Sequence, residues 1–227
     1  MDDLPVYDVV LLPPPDVNAR SADLSRSCAE PAPTEFVLRE DGPYPHISLY
    51  MANLTPGDCA EAVRLLAGIA ARTPALHLAA DRFAGNEHGM FELFYVKTDA
   101  VTRLQEDVIA AVAPLRTGLR RLDPVGRVLA DHRLTAPPPA PENLDRYGYD
   151  EVGELFRPHV TITRFRERAW RPGDGALPPA AEFTATYDTL ALCVMGEHGT
   201  CTELVETFAL AADRRPSAAP DPAPVAP

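Results

Sequence analysis

Two short stretches of the sequence place a histidine two residues before a hydroxyl side chain: residues 45–48 (PHIS) and residues 158–161 (PHVT). Histidine, with an unperturbed pKa of about 6.5, can accept or donate a proton near neutral pH. A short hydroxyl can donate a hydrogen bond to an oxygen on which negative charge develops. Cleavage of a phosphodiester needs a base for the nucleophile, an acid for the leaving oxygen, and donors for the charged oxygens. The two stretches together contain side chains of these kinds.

Both stretches have the alternating pattern of a β-strand, in which residues two apart point to the same face. His46 and Ser48 therefore share one face of their strand, and His159 and Thr161 share one face of theirs. A single histidine in such a strand is more simply a core or edge-strand residue. Two copies, each behind a proline and half a chain apart, favour a catalytic pair. The aliphatic residues beside them are expected to point into a core: Ile47, Leu49, Val160 and Ile162.

The same alternation suggests which other side chains lie near the histidines. Four residues of suitable parity are candidates for binding the substrate: Tyr44, Tyr50, Phe165 and Arg157. An aromatic ring beside a phosphate can stack a base, although packing in the core is the commoner role of a strand aromatic. Arg157 precedes a proline, which leaves its direction open. Arg164 has the opposite parity and is expected to brace the sheet.

At these residues the chain resembles the two-histidine (2H) phosphoesterases, which include the LigT-like RNA ligase/cyclic phosphodiesterase proteins. Residues 159–164 (HVTITR) are similar to the His-x-Thr-aliphatic-small-Arg signature of that family. The first copy has Ser48 where threonine is commoner, and it retains the hydroxyl. The resemblance extends over residues 5–210 by layout and is sharp only over the two motifs. It implies that His46, His159, Ser48 and Thr161 enclose one phosphate as catalytic residues.

The order of predicted elements, together with this resemblance, indicates an α+β fold. We expect two pseudo-symmetric lobes of mostly antiparallel sheet backed by helices, with the active-site cleft between them. Strands are predicted at residues 6–12, 35–38, 46–52, 76–83, 91–97, 158–165, 183–195 and 201–210. Helices are predicted at residues 18–28, after Thr55 and through residues 99–112, with a shorter helical piece near 115–122.

The domain organisation is predicted from the length of the chain, from what the resemblance implies and from the proline distribution. Residues 1–212 are expected to form one two-lobed domain. Within it, residues 114–150 are irregular and contain prolines, and we interpret them as a surface insertion that determines substrate specificity. Residues 213–227 are rich in proline and alanine and are predicted to be disordered.

Charge and hydropathy restrict the class of partner. The formal net charge of −12 argues against nonspecific binding to nucleic acid, so no DNA partner is expected. A small nucleotide or an RNA-end cyclic phosphate remains compatible with it. No apolar run reaches the roughly 20 residues of a membrane span, and the sequence begins with acidic rather than signal-like residues. We therefore expect a cytoplasmic protein that does not bind membranes and is a monomer.

Together with the resemblance, these observations predict a metal-independent phosphoesterase. No group of histidine, cysteine and acidic residues has metal-ligand spacing, and no glycine-rich phosphate loop is present, so no metal and no cofactor are predicted. The expected reaction is hydrolysis of a cyclic phosphodiester of the 2′,3′ type, on a nucleotide or an RNA end. The alternatives are a 2′-5′ RNA ligase and a nucleotide-binding module without turnover. Because the two motifs are nearly symmetric, they do not show which histidine is the acid.

Overall fold

The computed structural model describes residues 4–173 and 175–212. The predicted disordered tail, residues 213–227, lies outside the described residues. The strands in the described part are β1 (Val6–Leu12), β2 (Ile47–Asn53), β3 (Leu76–Leu78), β4 (Ala80–Gly85), β5 (Met90–Tyr95), β6 (His159–Arg164), β7 (Ala185–Tyr187), β8 (Thr189–Met195) and β9 (Cys201–Ala209). The α-helices are α1 (Pro15–Ala29), α2 (Pro56–Ala70), α3 (Asp99–Val112), α4 (Leu129–Thr135) and α5 (Ala140–Tyr147).

Seven of these strands form one antiparallel sheet in the order β4-β5-β6-β2-β1-β8-β9, and β3 pairs with β7 in a second, two-stranded sheet. Helices pack against the large sheet, which confirms the predicted α+β class. The motif strands β2 and β6 are neighbours at the centre of the sheet and are joined by one residue pair, Ile47 with Val160. The sheet therefore consists of two strand groups that meet at this single pair.

Each strand group contains strands from both halves of the chain. The second motif strand, β6, pairs with β5, whereas the first, β2, pairs with β1, which in turn pairs with β8. Thus β6 joins β4 and β5 in one strand group, and β2 joins β1, β8 and β9 in the other. Neither strand group therefore corresponds to one half of the sequence. The pseudo-two-fold relation between the lobes stays a prediction, as do the domain limits and the assignment of residues 114–150 as an insertion.

The core lies between the large sheet and helices α1, α2 and α3. Helix α2 begins where Thr55 Oγ1 accepts a hydrogen bond from the Asp58 amide, with Pro56 in the first turn. Such a cap contributes about 1 kcal/mol. Burial of a large aliphatic side chain contributes roughly 1.5–3 kcal/mol, and α3 buries several of them on one stripe, including Val101, Leu104 and Val108. Packing on the sheet therefore outweighs capping in holding these helices.

A β-bulge interrupts each motif strand directly after its hydroxyl residue. In the β1–β2 pairing, Val10 lies opposite Ser48 and Val9 opposite Tyr50, so Leu49 has no opposite residue. In the β5–β6 pairing, Glu92 lies opposite Thr161 and Phe91 opposite Thr163, so Ile162 has none. A bulge inserts one residue into one strand only and shifts the alternation of the residues that follow it.

The bulges overturn the face assignments made for residues beyond them. Tyr50 and Phe165 were expected beside the histidines, but both are fully buried in the main core on the helix side. Met51 and Arg164 lie on the cleft side instead. The simple two-residue alternation fails here because one residue of each strand has no partner.

Several predicted elements are displaced. Residues 35–38 form no strand; the Leu38 amide donates to Ser25 Oγ of α1 at 2.9 Å instead. The strand predicted over residues 183–195 is broken at Asp188 into β7 and β8. Residues 116–122 are not helical, and the helices of this region are α4 and α5, further along the chain. In the part of the chain that the structure describes, no helix is long and apolar enough to cross a membrane.

Candidate active site

The two motif histidines line one cleft, with a volume of about 270 Å³, on the face of the sheet opposite the main core. Ser48 and Thr161 line the same cleft. The structure therefore brings together the four side chains for which the sequence predicts a shared site. Their strands are adjacent, so residues far apart in sequence meet above the single β2–β6 pair.

Both histidine rings are held in the same way. His46 Nδ1 lies 2.8 Å from the carbonyl oxygen of Tyr44, and His159 Nδ1 lies 2.7 Å from the carbonyl oxygen of Arg157. Because a carbonyl oxygen only accepts hydrogen bonds, we assign the proton to Nδ1 in both rings. Nε2 of each ring is then left with a lone pair that can exchange a proton in the cleft.

A carboxyl group from the neighbouring strand lies beside each Nε2. Asp8 Oδ2 of β1 is 3.8 Å from His46 Nε2, and Glu92 Oε1 of β5 is 3.7 Å from His159 Nε2. Neither residue was predicted from the sequence. The available signal was that each is the one acidic residue within a strongly apolar strand, VYDVVLL and MFELFY, where an unpaired carboxyl is costly to bury.

Asp8 is the most deeply buried of these polar groups. Its side chain is 1% exposed, and its Oδ2 lies 2.6 Å from Ser48 Oγ. Among the described residues, its Oδ1 has no hydrogen-bond partner. Burial raises the pKa of Asp8 to about 8, against the opposing effects of the Ser48 hydrogen bond and the Arg120 charge.

The two histidines differ in their surroundings. His46 is 8% exposed, and burial lowers its pKa to about 4, although the hydrogen bond to the Tyr44 carbonyl acts in the opposite direction. The His46 ring is therefore neutral at pH 7. The His159 side chain is 18% exposed, and its ring centroid lies 5.6 Å from that of Phe94. His159 is the more accessible of the two to solvent and to a substrate.

Of the four candidate substrate-binding residues, only Arg157 lines the cleft. Arg157 Nη2 lies 3.4 Å from Glu151 Oε1. Burial raises the pKa of Glu151, against the effects of His159 and Arg157. The Tyr44 side chain packs instead against the small cluster around Val10 on the same side of the sheet.

Tyr50 and Phe165 are engaged in the core. The Tyr50 hydroxyl donates to the Tyr147 carbonyl at 2.6 Å, and the Phe165 ring centroid lies 4.4 Å from that of Trp170. These contacts, with full burial, leave neither ring available to a substrate in the cleft. The hypothesis that they stack a base is therefore wrong.

Loops between the strands form much of the lining of the cleft. His88 and His198, neither of which was predicted as a site residue, both line it. The region between α3 and β6 adds further lining residues: Asp123, Pro124, Val125, Arg127, Tyr149, Asp150 and Glu151. The structure thus brings the predicted specificity segment to the cleft, and its contribution to substrate choice stays a prediction.

Arg164 connects these walls. Its guanidinium donates to the His88 carbonyl at 3.1 Å, to the Val125 carbonyl at 3.1 Å and to His198 Nδ1 at 2.9 Å. The bulge in β6 directs this side chain to the cleft side. One buried arginine therefore holds three separate loops together beside the histidines.

Replacement of Arg164 by methionine is expected to lower the free energy of unfolding by about 2–4 kcal/mol. The reason is that three acceptors lose their buried, charged donor at once. Urea unfolding measures this difference. Arg166→Met is the matched control, since Arg166 is exposed and its ion pair with Glu35 spans 3.4 Å on the surface. Equal effects of the two substitutions would contradict the role given to Arg164.

Comparison with known proteins supports the fold. No protein-family model and no curated protein matches the sequence. Among solved structures, apo LigT of E. coli superposes with a TM-score of 0.57 at 14% identity, over 92% of this chain and 99% of that chain. TT0787 of Thermus thermophilus superposes with a TM-score of 0.56 at 17% identity, over 92% and 99%. E. coli LigT complexed with 3′-AMP gives 0.55 at 12% identity, over 91% and 98%.

The described chain therefore has the same fold as E. coli LigT and TT0787. This confirms, at the level of the fold, the resemblance that the two motifs carry. At these identities the likeness concerns the fold alone, so the chemistry has to be argued from the residues of the cleft.

Proposed function

We propose that this protein hydrolyses a cyclic phosphodiester of the 2′,3′ type, on a nucleotide or an RNA end, by metal-independent acid–base catalysis. The observation that carries this proposal is the matched orientation of His46 and His159. Each ring is tied through Nδ1 to a carbonyl oxygen and leaves Nε2 for proton exchange in one shared cleft. Two such nitrogens suffice for both proton transfers of the reaction.

The burial difference suggests a division of labour. His46 is neutral at pH 7, so it acts as the base and accepts a proton from the attacking water at Nε2. The water oxygen forms a bond to phosphorus as the bond from phosphorus to the leaving 2′ or 3′ oxygen breaks. His159, the more exposed ring, acts as the acid and donates a proton from Nε2 to the leaving oxygen. The Asp8 carboxyl group lies 3.8 Å from His46 Nε2.

The charges of the cleft favour a small substrate. Its carboxylates are largely paired: Asp123 with Arg127 at 2.5 Å, Glu151 with Arg157 at 3.4 Å, and Asp150 with His132 at 3.2 Å. Paired carboxylates tolerate one phosphodiester charge better than the many charges of a long backbone.

A monomeric state and a cytoplasmic location stay predictions.

The ligands found with similar structures agree with a nucleotide substrate. E. coli LigT has been crystallised in complex with phosphate, 3′-AMP, ATP and NADP+. By analogy, we infer that the cleft of this chain accepts a phosphate attached to a nucleoside. The nucleoside portion would lie against the loops of residues 123–127 and 149–151, which contribute to the lining of the cleft.

A panel of possible substrates tests the proposal. It would contain 2′,3′-cyclic nucleotides, RNA ends bearing a cyclic phosphate, and small cyclic phosphates without a base. Hydrolysis of at least one 2′,3′-cyclic compound is expected. Formation of a 2′-5′ linkage from two RNA ends would favour ligation instead, and binding without turnover of any compound would favour a nucleotide-binding module.

Chelation is expected to leave the rate unchanged. Within residues 4–173 and 175–212, no three His, Cys, Asp or Glu side chains are placed to hold a metal ion together. The proposed proton transfers use only the two histidines. The initial rate on a substrate from the panel would be compared before and after exhaustive treatment with EDTA. Loss of activity that a divalent ion restores would contradict the mechanism and make the histidines ligands.

A further inference from the structure

The short contact between Ser48 Oγ and Asp8 Oδ2, 2.6 Å, has two possible donors. If Asp8 is ionised, its oxygens only accept, so the single Ser48 hydrogen goes to the carboxylate. Ser48 would then present only lone pairs to the cleft, which repel the oxygens of a phosphate. If Asp8 is protonated, its own hydroxyl can donate to Ser48 Oγ. The Ser48 hydrogen is then free to point at the phosphate.

We propose that Asp8 is a positioning residue whose protonated carboxyl group turns the Ser48 hydroxyl toward the phosphodiester in the cleft. The inference rests on the proposed function, since it assigns a donor for the phosphate of that reaction. Asp8 itself does not contact the substrate. Its protonation state decides whether Ser48 is a donor or an acceptor there.

The surroundings of Asp8 favour the neutral acid. The groups that face it come from four parts of the chain. They are His46 and Ser48 at the start of β2, Cys193 on β8, Arg120 before α4, and Tyr149 and Glu151 before β6. Arg120 is the cation of this set, but its side-chain hydrogen bond is to Met51 Sδ, at 3.5 Å. Glu151 adds negative charge. A carboxyl in such a buried position holds its proton to a higher pH than usual, in agreement with its pKa of about 8.

The second motif provides an internal contrast. Glu92 occupies the place beside His159 that Asp8 occupies beside His46. Within the described part of the chain, however, the Thr161 hydroxyl makes no side-chain hydrogen bond, to Glu92 or to any other residue. Thr161 is therefore free to donate to a phosphate whatever the charge of its neighbour. Hydrogen-bond donation to the phosphate should therefore depend on a protonated carboxyl group for Ser48 and not for Thr161.

The test measures the binding of dimethyl phosphate, a phosphodiester whose single charge does not change between pH 7 and pH 9. Its dissociation constant would be followed by NMR in the full-length protein. The wild type is expected to bind about 10-fold more weakly at the higher pH, as Asp8 ionises and Ser48 becomes an acceptor (one hydrogen bond, about 1.4 kcal/mol). Ser48→Ala should bind weakly at both pH values, without this pH dependence.

Two further variants separate the positions. Asp8→Asn presents an amide that donates to Ser48 Oγ at every pH, so its affinity should stay at the wild-type pH 7 level. Thr161→Ala should weaken binding at both pH values and retain the wild-type decrease between them. If Asp8→Asn does not fold, the comparison of wild type with Ser48→Ala decides the question by itself.

The outcomes distinguish this inference from the proposed function. Unchanged wild-type affinity between the two pH values, an equal decrease in Ser48→Ala, or no binding at pH 7 would each overturn the role of Asp8. A Ser48-dependent decrease in a protein that hydrolyses nothing in the substrate panel would support the role of Asp8 and overturn the proposed hydrolysis.

Discussion

Replacement of either His46 or His159 by alanine is expected to lower kcat by about 10²–10⁴-fold, the usual contribution of a general acid or base. Each substitution should also remove one limb of the bell-shaped pH–rate profile. The double substitution should cost less than the product of the two, because the pair works as a unit. Initial rates on the substrate found in the panel measure all three effects.

The leaving group distinguishes the two histidines. A substrate with an activated leaving group needs little protonation, so it should restore the rate of His159→Ala and leave His46→Ala slow. His77→Ala is the matched control, since His77 is exposed on β3 and lies outside the cleft. Near-normal kcat in both single variants would contradict the catalytic assignment and favour a binding module.

The free energy of unfolding is expected to decrease as the pH rises from about 6.5 to about 8. Asp8 has an ordinary pKa of 3.8 and a folded-state pKa of about 8. Between these values the folded state keeps a proton that the unfolded state has lost, so stability falls as pH rises, by at most about 1.4 kcal/mol per pH unit.

Below about pH 6.5, the titration of His46 opposes the effect of Asp8 on the free energy of unfolding. Its pKa falls from 6.5 to about 4 on folding, so between these values the unfolded state binds the extra proton and stability rises with pH. Below about pH 6.5, Asp8 lowers stability with rising pH while His46 raises it. Above that pH only the decrease due to Asp8 remains. Stability should therefore be nearly level in the acidic window and decline in the window from 6.5 to 8.

Urea unfolding of the wild type and Asp8→Asn across these two windows measures the effect. The variant cannot ionise at this position, so its stability should not decline above pH 6.5, and the difference between the proteins should grow with pH. Asp188→Asn is the control, because Asp188 is exposed between β7 and β8. A wild-type stability that rises through this window would contradict the burial of a neutral Asp8.

The motifs and most strands were predictable because they depend on local pattern. A proline followed by alternating aliphatic residues predicts the start and the faces of β2 and β6 up to the hydroxyl of each motif. His46, Ser48, His159 and Thr161 all lie before the bulges, where the alternation still holds. Their convergence in one cleft follows from strand pairing that the resemblance implied.

The residues beyond the bulges were not predictable in this way. A bulge depends on how a strand pairs with its partner, and the pairing of β2 with β1 or of β6 with β5 is not encoded in either strand alone. The errors for Tyr50, Phe165 and Arg164 have this one cause. Likewise, His88 and His198 lie in turns, and strand pairing far along the sequence brings them to the cleft.

Asp8 and Glu92 were missed for another reason. Each is an acidic residue that interrupts an apolar strand, and such a residue normally marks either an exposed edge or a buried polar site. Neither β1 nor β5 is an edge strand of the large sheet, which removes the first possibility. The positions of these strands follow from the strand order, which the sequence alone does not give. The acidic residue in each apolar strand was visible in the sequence, but it could not be assigned to a buried polar site without that order.

A structure of the protein with a bound 2′,3′-cyclic nucleotide or its hydrolysis product tests the central claim most directly. The phosphorus atom is expected to lie between the two rings, with an oxygen of the phosphate within hydrogen-bonding distance of Nε2 of both His46 and His159. Thr161 and Ser48 should donate to the remaining oxygens. A phosphate that contacts only one of the two histidines, or that binds outside this cleft, would contradict two-histidine catalysis.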